Sequence, residues 1–126
     1  MERRYQEIRE YTEHEIKEIL DQQVIEELIL LPISVGLYYH SWKIAQNLCL
    51  ELAQHKDAHV RANAVFGLAH IARTKGKLDK RIIKPIILKE LRQNEEYRGT
   101  IIDAISDINQ FLGWKLAKRY FNNENQ

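Results

Sequence analysis

The sequence predicts an all-α fold, a short α-solenoid of about six or seven helices arranged in antiparallel pairs. Three observations carry that expectation. First, the stretch from Asp57 to Arg73 places Val60, Ala64, Gly67, Leu68 and Ile71 on one helical stripe. Second, shifting the chain by 37 residues lays Val60-Arg61 on Tyr97-Arg98, Ala64 on Ile101, Gly67 on Ala104, Leu68 on Ile105 and Ile71 on Ile108 without a gap. Third, cap and stop residues punctuate the apolar segments: Asp57 and Asn94 ahead of helices, Gly76 and Gly113 behind them.

The elements follow in order. Residues 3–20 set Tyr5, Ile8, Ile16, Ile19 and Leu20 on one face, an amphipathic helix expected to cap the stack. A second helix runs from Gln22 and is expected to end before Pro32, because proline lacks an amide and biases its predecessor toward extended geometry. The stretch P-I-S-V-G-L-Y-Y-H-S then reads as a turn-rich connection, with Ser41 capping a helix over Trp42 to His55. That helix shows Trp42, Ala45, Leu48, Cys49, Leu52 and Ala53 on its apolar side.

Asp57 caps the helix from Ala58 to Thr74, and the small Ala64 and Gly67 let a neighbouring helix come close. Asp79 is the cap of a helix bearing Ile82, Ile83, Ile86, Ile87 and Leu91, with Pro85 expected to bend it. The next helix carries Ile101, Ala104, Ile105, Ile108 and Leu112 and stops near Gly113. Trp114 to Phe121 suits one more short helix before a polar tail that should fray. The expected organisation is one domain over 1–126: an irregular hairpin at 1–40, two regular hairpins at 41–77 and 78–113, and a terminal piece at 114–126.

Composition narrows function. At 126 residues and 44% hydrophobic, the chain supports one core. Nineteen bases against 18 acids give a net charge of +1, which exerts no global pull on nucleic acid or anionic lipid. The charge is uneven: nine acids and four bases over 1–40, four acids and eleven bases over 41–92, five acids and four bases over 93–126. A lone cysteine, Cys49, fits a core thiol in a reducing compartment. With no signal-peptide pattern at the start and no apolar run approaching the ~20 residues of a span, the expectation is a cytoplasmic protein that does not enter a membrane.

The string D-x-x-V-R-x-x-A-x-x-x-L-x-x-I, met at Asp57, Val60, Arg61, Ala64, Leu68 and Ile71, resembles the second helix of a HEAT repeat. The repeat at 78–112 follows it with Tyr97 in place of Val and Asn94 in place of the capping Asp. This resemblance implies a right-handed superhelix. The block W-K-I-A-Q-N-L-C-L-E-L-A-Q-H-K-D, with G-L-A-H-I-A-R-T-K-G-K-L-D-K and F-L-G-W, is similar to small free-standing bacterial HEAT-repeat proteins. Several of those are immunity proteins of contact-dependent inhibition and Rhs toxin systems. It implies a non-catalytic binding protein that occludes the active site of a cognate toxin, a basic nuclease being one candidate. Two other readings stand beside it: a HEAT-like DNA-binding protein or alkylpurine DNA glycosylase using the basic middle segment, and a scaffold or lyase-like chaperone.

Candidate binding residues lie on the side of each repeat helix away from its apolar stripe. Asn63, Phe66, His70 and Arg73 line the first, and Glu96, Asp103, Asp107 and Gln110 form an acidic strip one repeat later. A solvated polar face is the plain alternative for the strip; for Phe66, it is cover by a linker. Arg61 and Arg98 occupy equivalent positions and are expected to bridge to an Asp or backbone carbonyl of a neighbouring repeat. Of Tyr38, Tyr39, His40 and Trp42, at least two are expected to pack in the core and one to project. No cofactor or metal is expected: Asp57 separates His55 from His59 as a helix cap, and no further ligands complete a set. Nor do Cys49, Ser34, Ser41 or Ser106 sit in a recognisable nucleophile context.

Overall fold

Eight helical segments and no strand are found among residues 8–122, the residues described by a computed structural model. They are α1 (Glu13–Gln22), α2 (Ile25–Leu28), α3 (Leu31–Tyr38), α4 (Trp42–Leu52), α5 (Ala58–Lys75), α6 (Lys80–Gln93), α7 (Arg98–Leu112) and α8 (Lys118–Asn122). α3, α5 and α7 pack side by side in that order; α4 lies across α3 and α5, and α6 lies against α7. The core between them is made of Leu28, Leu31, Val60, Leu68, Ile71, Ile83, Ile87, Ile101, Ile105 and Ile108, all fully buried. Each such side chain contributes about 1.5–3 kcal/mol.

The first helix starts later than residues 3–20 suggested. Thr12 accepts the Glu15 amide while Glu15 Oε1 accepts the Thr12 amide, a capping box that fixes the helix start at Glu13. The chain ahead of it is extended, and Ser34 of α3 donates its hydroxyl proton to the Arg9 carbonyl. Residues 3–7 of the expected helix, and the last four residues of the expected frayed tail, lie outside the described residues.

The largest correction falls at Pro32. It does not end a helix but sits in the first turn of one, where an absent amide costs nothing and the fixed φ is already helical. The supposed turn-rich connection is therefore α3, and the helix expected before it shrinks to the single turn of α2. This helix is the close neighbour that the small residues of α5 admit. A Cβ on Gly67 would stand 2.5 Å from the Pro32 carbonyl oxygen and 2.8 Å from Cys49 Sγ, and one on Gly36 would stand 2.5 Å from the Gly67 carbonyl oxygen.

α5 is buried more widely than a single stripe. Ala62, Val65, Ala69 and Ala72 join the expected residues in the interior, because α3 and α7 flank α5 while α4 covers a third side. Asp57 caps it as expected, its Oδ1 accepting the amides of His59 at 2.8 Å and Val60 at 3.0 Å.

Other boundaries shift for local reasons. α4 ends at Leu52 rather than His55, where tight turns bring the Gln54 and His55 amides to the Glu51 and Leu52 carbonyls. Asp79 precedes α6 without capping it through its side chain; its amide donates instead to Oε1 of the buried Gln46 at 2.6 Å. Asn94 caps the turn before α7 rather than α7 itself, accepting the Tyr97 amide at 3.3 Å. α6 runs continuously through Pro85. The helix expected over Trp114 to Phe121 is confined to Lys118–Asn122, after a turn in which Ala117 takes a left-handed φ of 54°.

The repeat extends to backbone detail. Gly76 and Gly113, 37 residues apart, end α5 and α7 with φ of 68° and 69°. Arg61 Nη1 donates to the carbonyls of His55 and Lys56, both at 2.9 Å, and Arg98 donates to those of Leu91 and Arg92, both at 2.9 Å. Arg61 thus clamps carbonyls of the turn that follows α4, and Arg98 clamps carbonyls in the last turn of α6. Arg61 also reaches the next repeat, its Nε donating to Glu90 Oε1 at 3.0 Å.

Candidate protein-binding face

The sequence-derived face lies on the α5 and α7 flanks that no outer helix covers. On α5, Phe66 and His70 are one turn apart and their rings meet at 4.6 Å between centroids. Both are half-buried, so the pair forms a shallow aromatic floor instead of a projecting anchor. Exposed Arg73 donates from Nη2 to His70 Nδ1 at 3.0 Å, which puts the imidazole proton on Nε2. Burial lowers the His70 pKa and the Arg73 charge lowers it further, while Asp107 on α7 pulls the other way. His70 is therefore a neutral donor, with its Nε2–H available, at the junction of a cation and an anion.

Phe66, His70, Arg73 and Asp107 are thus brought together. Asp103 and Gln110 are exposed on α7 at helical spacing from Asp107 and extend the patch. Asn63 is drawn inward: its Nδ2 donates to the Ile29 carbonyl at 2.7 Å, tying α5 to the α2–α3 turn. Glu96 is exposed on the turn ahead of α7, at the other end of that helix from Asp107.

One aromatic member of the exposed surface, Phe111, was not among the sequence-derived candidates. Phe111 is 45% exposed and follows Asp103 and Asp107 at intervals of four, so the signal was an aromatic residue completing an otherwise polar stripe. In the cluster from which one ring was expected to project, two are exposed: Tyr38, 45% exposed at the end of α3, and His40. Trp42 and Tyr39 pack against the core as expected, and Tyr39 donates its hydroxyl to Glu13 at 2.7 Å. A second concavity, of 260 Å³, opens between α1, α3 and α4 over Ile16, Leu20, Val35, Tyr39, Ile44 and Leu48. It depends on α3 being a helix, which is why it was not foreseen.

The other candidate chemistry is absorbed by the fold. His55 accepts the Asp57 amide at Nδ1 and meets Gln23 Oε1 through Nε2 at 2.9 Å, while His59 stacks on Tyr97 at 4.5 Å. Among the described residues no three His, Cys, Asp or Glu side chains converge on a metal-sized space. Cys49 is fully buried, and burial pushes its thiol pKa up, away from the thiolate a nucleophile needs. No helix among the described residues is long and apolar enough to cross a membrane.

No family model and no curated protein matches the sequence. Among solved structures, the chain is similar to one from the crystal structure of a CDI complex from Cupriavidus taiwanensis LMG 19424, with a TM-score of 0.72 and 24% identity. The match covers 87% of this chain and 98% of that one, so the two share an all-helical fold over nearly their whole lengths.

Proposed function

We propose that this chain is a HEAT-like, non-catalytic immunity protein of a contact-dependent inhibition system, acting in the cytoplasm by covering the active site of a cognate toxin domain. The observation that carries this reading is the near-complete fold likeness to a chain of a CDI complex, which agrees with the resemblance of the D-x-x-V-R repeat motif. The face formed by Phe66, His70, Arg73, Asp103, Asp107 and Gln110 suits such a role. It combines an aromatic floor, a neutral imidazole donor and carboxylates that complement the basic cleft of a nuclease. Phe111 adds an apolar anchor beside them. The DNA-glycosylase reading fits this face poorly, because Asp103 and Asp107 place negative charge where a phosphate backbone would lie.

The test is charge reversal on the strip. The double variant Asp103→Lys/Asp107→Lys, measured by surface plasmon resonance against the toxin domain encoded beside this chain, should associate at least about tenfold more slowly at low salt. Unchanged association at every salt concentration would remove the strip from the interface.

A further inference from the structure

A second surface, on the other flank of α7 and independent of the toxin-binding reading, is strongly basic. On α6 the residues Lys80, Arg81, Lys84, Lys89 and Arg92 are exposed, and its only acid, Glu90, is buried and bonded to Arg61. Beyond α7, Asn109 holds Leu116 through both its amide groups, at 2.9 and 3.1 Å, and so fixes the turn that delivers α8. The chain turns at the left-handed Ala117, and the start of α8 lines a hollow with the end of α6. The hollow measures 550 Å³ and is lined by Leu88, Leu91, Arg92, Lys118, Arg119 and Tyr120. Among the described residues none of these cations forms a salt bridge. Aromatic rings flank the same surface: Tyr120 is 42% exposed, and Lys80 Nζ stands 5.4 Å over the Trp114 ring.

We propose that the α6–α8 face binds single-stranded nucleic acid, with phosphates held by Lys84, Arg92, Lys118 and Arg119 and a base stacked on Tyr120 in the hollow. Charge complementarity selects a polyanion, and cations around a concavity that offers the exposed Tyr120 ring favour a single strand over a duplex. A duplex keeps its bases stacked and has none to place against Tyr120. An anionic lipid surface would call for apolar side chains projecting from a convex face, whereas Leu88 and Leu91 line the floor of a hollow. The unremarkable net charge of +1 conceals this surface because the acids balancing it are concentrated before residue 41.

The experiment is fluorescence anisotropy of the full chain with labelled RNA and DNA single strands of about 20 nucleotides, across a salt series. Binding should weaken with salt, and the triple variant Lys84→Gln/Arg92→Gln/Arg119→Gln should bind at least about tenfold more weakly with a shallower salt slope. Tyr120→Ala should weaken binding severalfold and leave the slope unchanged, as loss of stacking requires. The double variant Asp103→Lys/Asp107→Lys should keep its dependence on the α6–α8 bases. The proposal is overturned by absence of binding at low salt, by equal binding of the triple variant, or by tighter binding to duplexes or anionic vesicles than to single strands. Because no toxin enters the assay, its outcome is independent of the immunity reading.

Discussion

At the scale of single residues, the two repeat arginines do the same job at different cost. Arg61 holds two loop carbonyls and also the buried Glu90, which Asn94 Nδ2 contacts at 3.1 Å. Removing Arg61 would leave Glu90 buried without its cation, a loss of about 3 kcal/mol or more. Arg98 contacts only neutral backbone carbonyls and no buried charge, so its loss costs about 1–2 kcal/mol. Urea unfolding of Arg61→Ala and Arg98→Ala should reproduce that order; a reversed order would contradict the role assigned to Glu90. His70 offers a second residue-scale check. Its folded pKa lies below the ordinary 6.5, so its contribution to stability is complete above that pH and is lost as pH falls from 6.5 through the folded value. By NMR titration, Arg73→Gln should raise the His70 pKa and Asp107→Asn should lower it. The equivalence of Arg61 and Arg98 was legible in the repeat, whereas Glu90 was not: nothing in a periodic apolar pattern announces that a glutamate turns inward to meet an arginine 29 residues away.

At the scale of elements, legibility followed the local signals. Asp57, Gly76 and Gly113 bracket α5 and α7 because capping and left-handed stops act within a few residues of where they are written. Pro32 was misread because the same ring that ends a helix from inside also begins one from its first turn, and only the packing partner decides. That partner is α5, through Gly67. Gly67→Ala should drive a methyl into the Pro32 carbonyl and Cys49 Sγ, and destabilise the protein by about 2 kcal/mol in thermal or chemical melts. A melt equal to the parent would mean that α3 and α5 are not held so closely. The candidate face was half legible for a related reason. Spacing put His70, Arg73 and Asp107 on neighbouring faces, and the structure brings them together, but spacing could not reveal that Asn63 bonds to Ile29 or that Phe66 lies down against the core.

At the scale of the whole molecule, the layer α3–α5–α7 and the outer helices α4 and α6 divide the surface into regions of different charge. Acidic residues dominate the sequence before residue 41 and extend from the α5–α7 face, while the bases of α6 and α8 form no salt bridge among the described residues. That division suits a protein whose partners are macromolecules, and it is invisible in the near-neutral total. The proposed activity is occlusion of a toxin by the α5–α7 face. The most direct measurement is inhibition of the toxin domain encoded beside this chain by the purified protein, titrated with the wild type and with a variant combining Asp103→Lys, Asp107→Lys and Phe111→Ala. Occlusion predicts stoichiometric loss of toxin activity with the wild type and at least about a hundredfold weaker inhibition by the variant. Full toxin activity in the presence of saturating wild-type protein would contradict it.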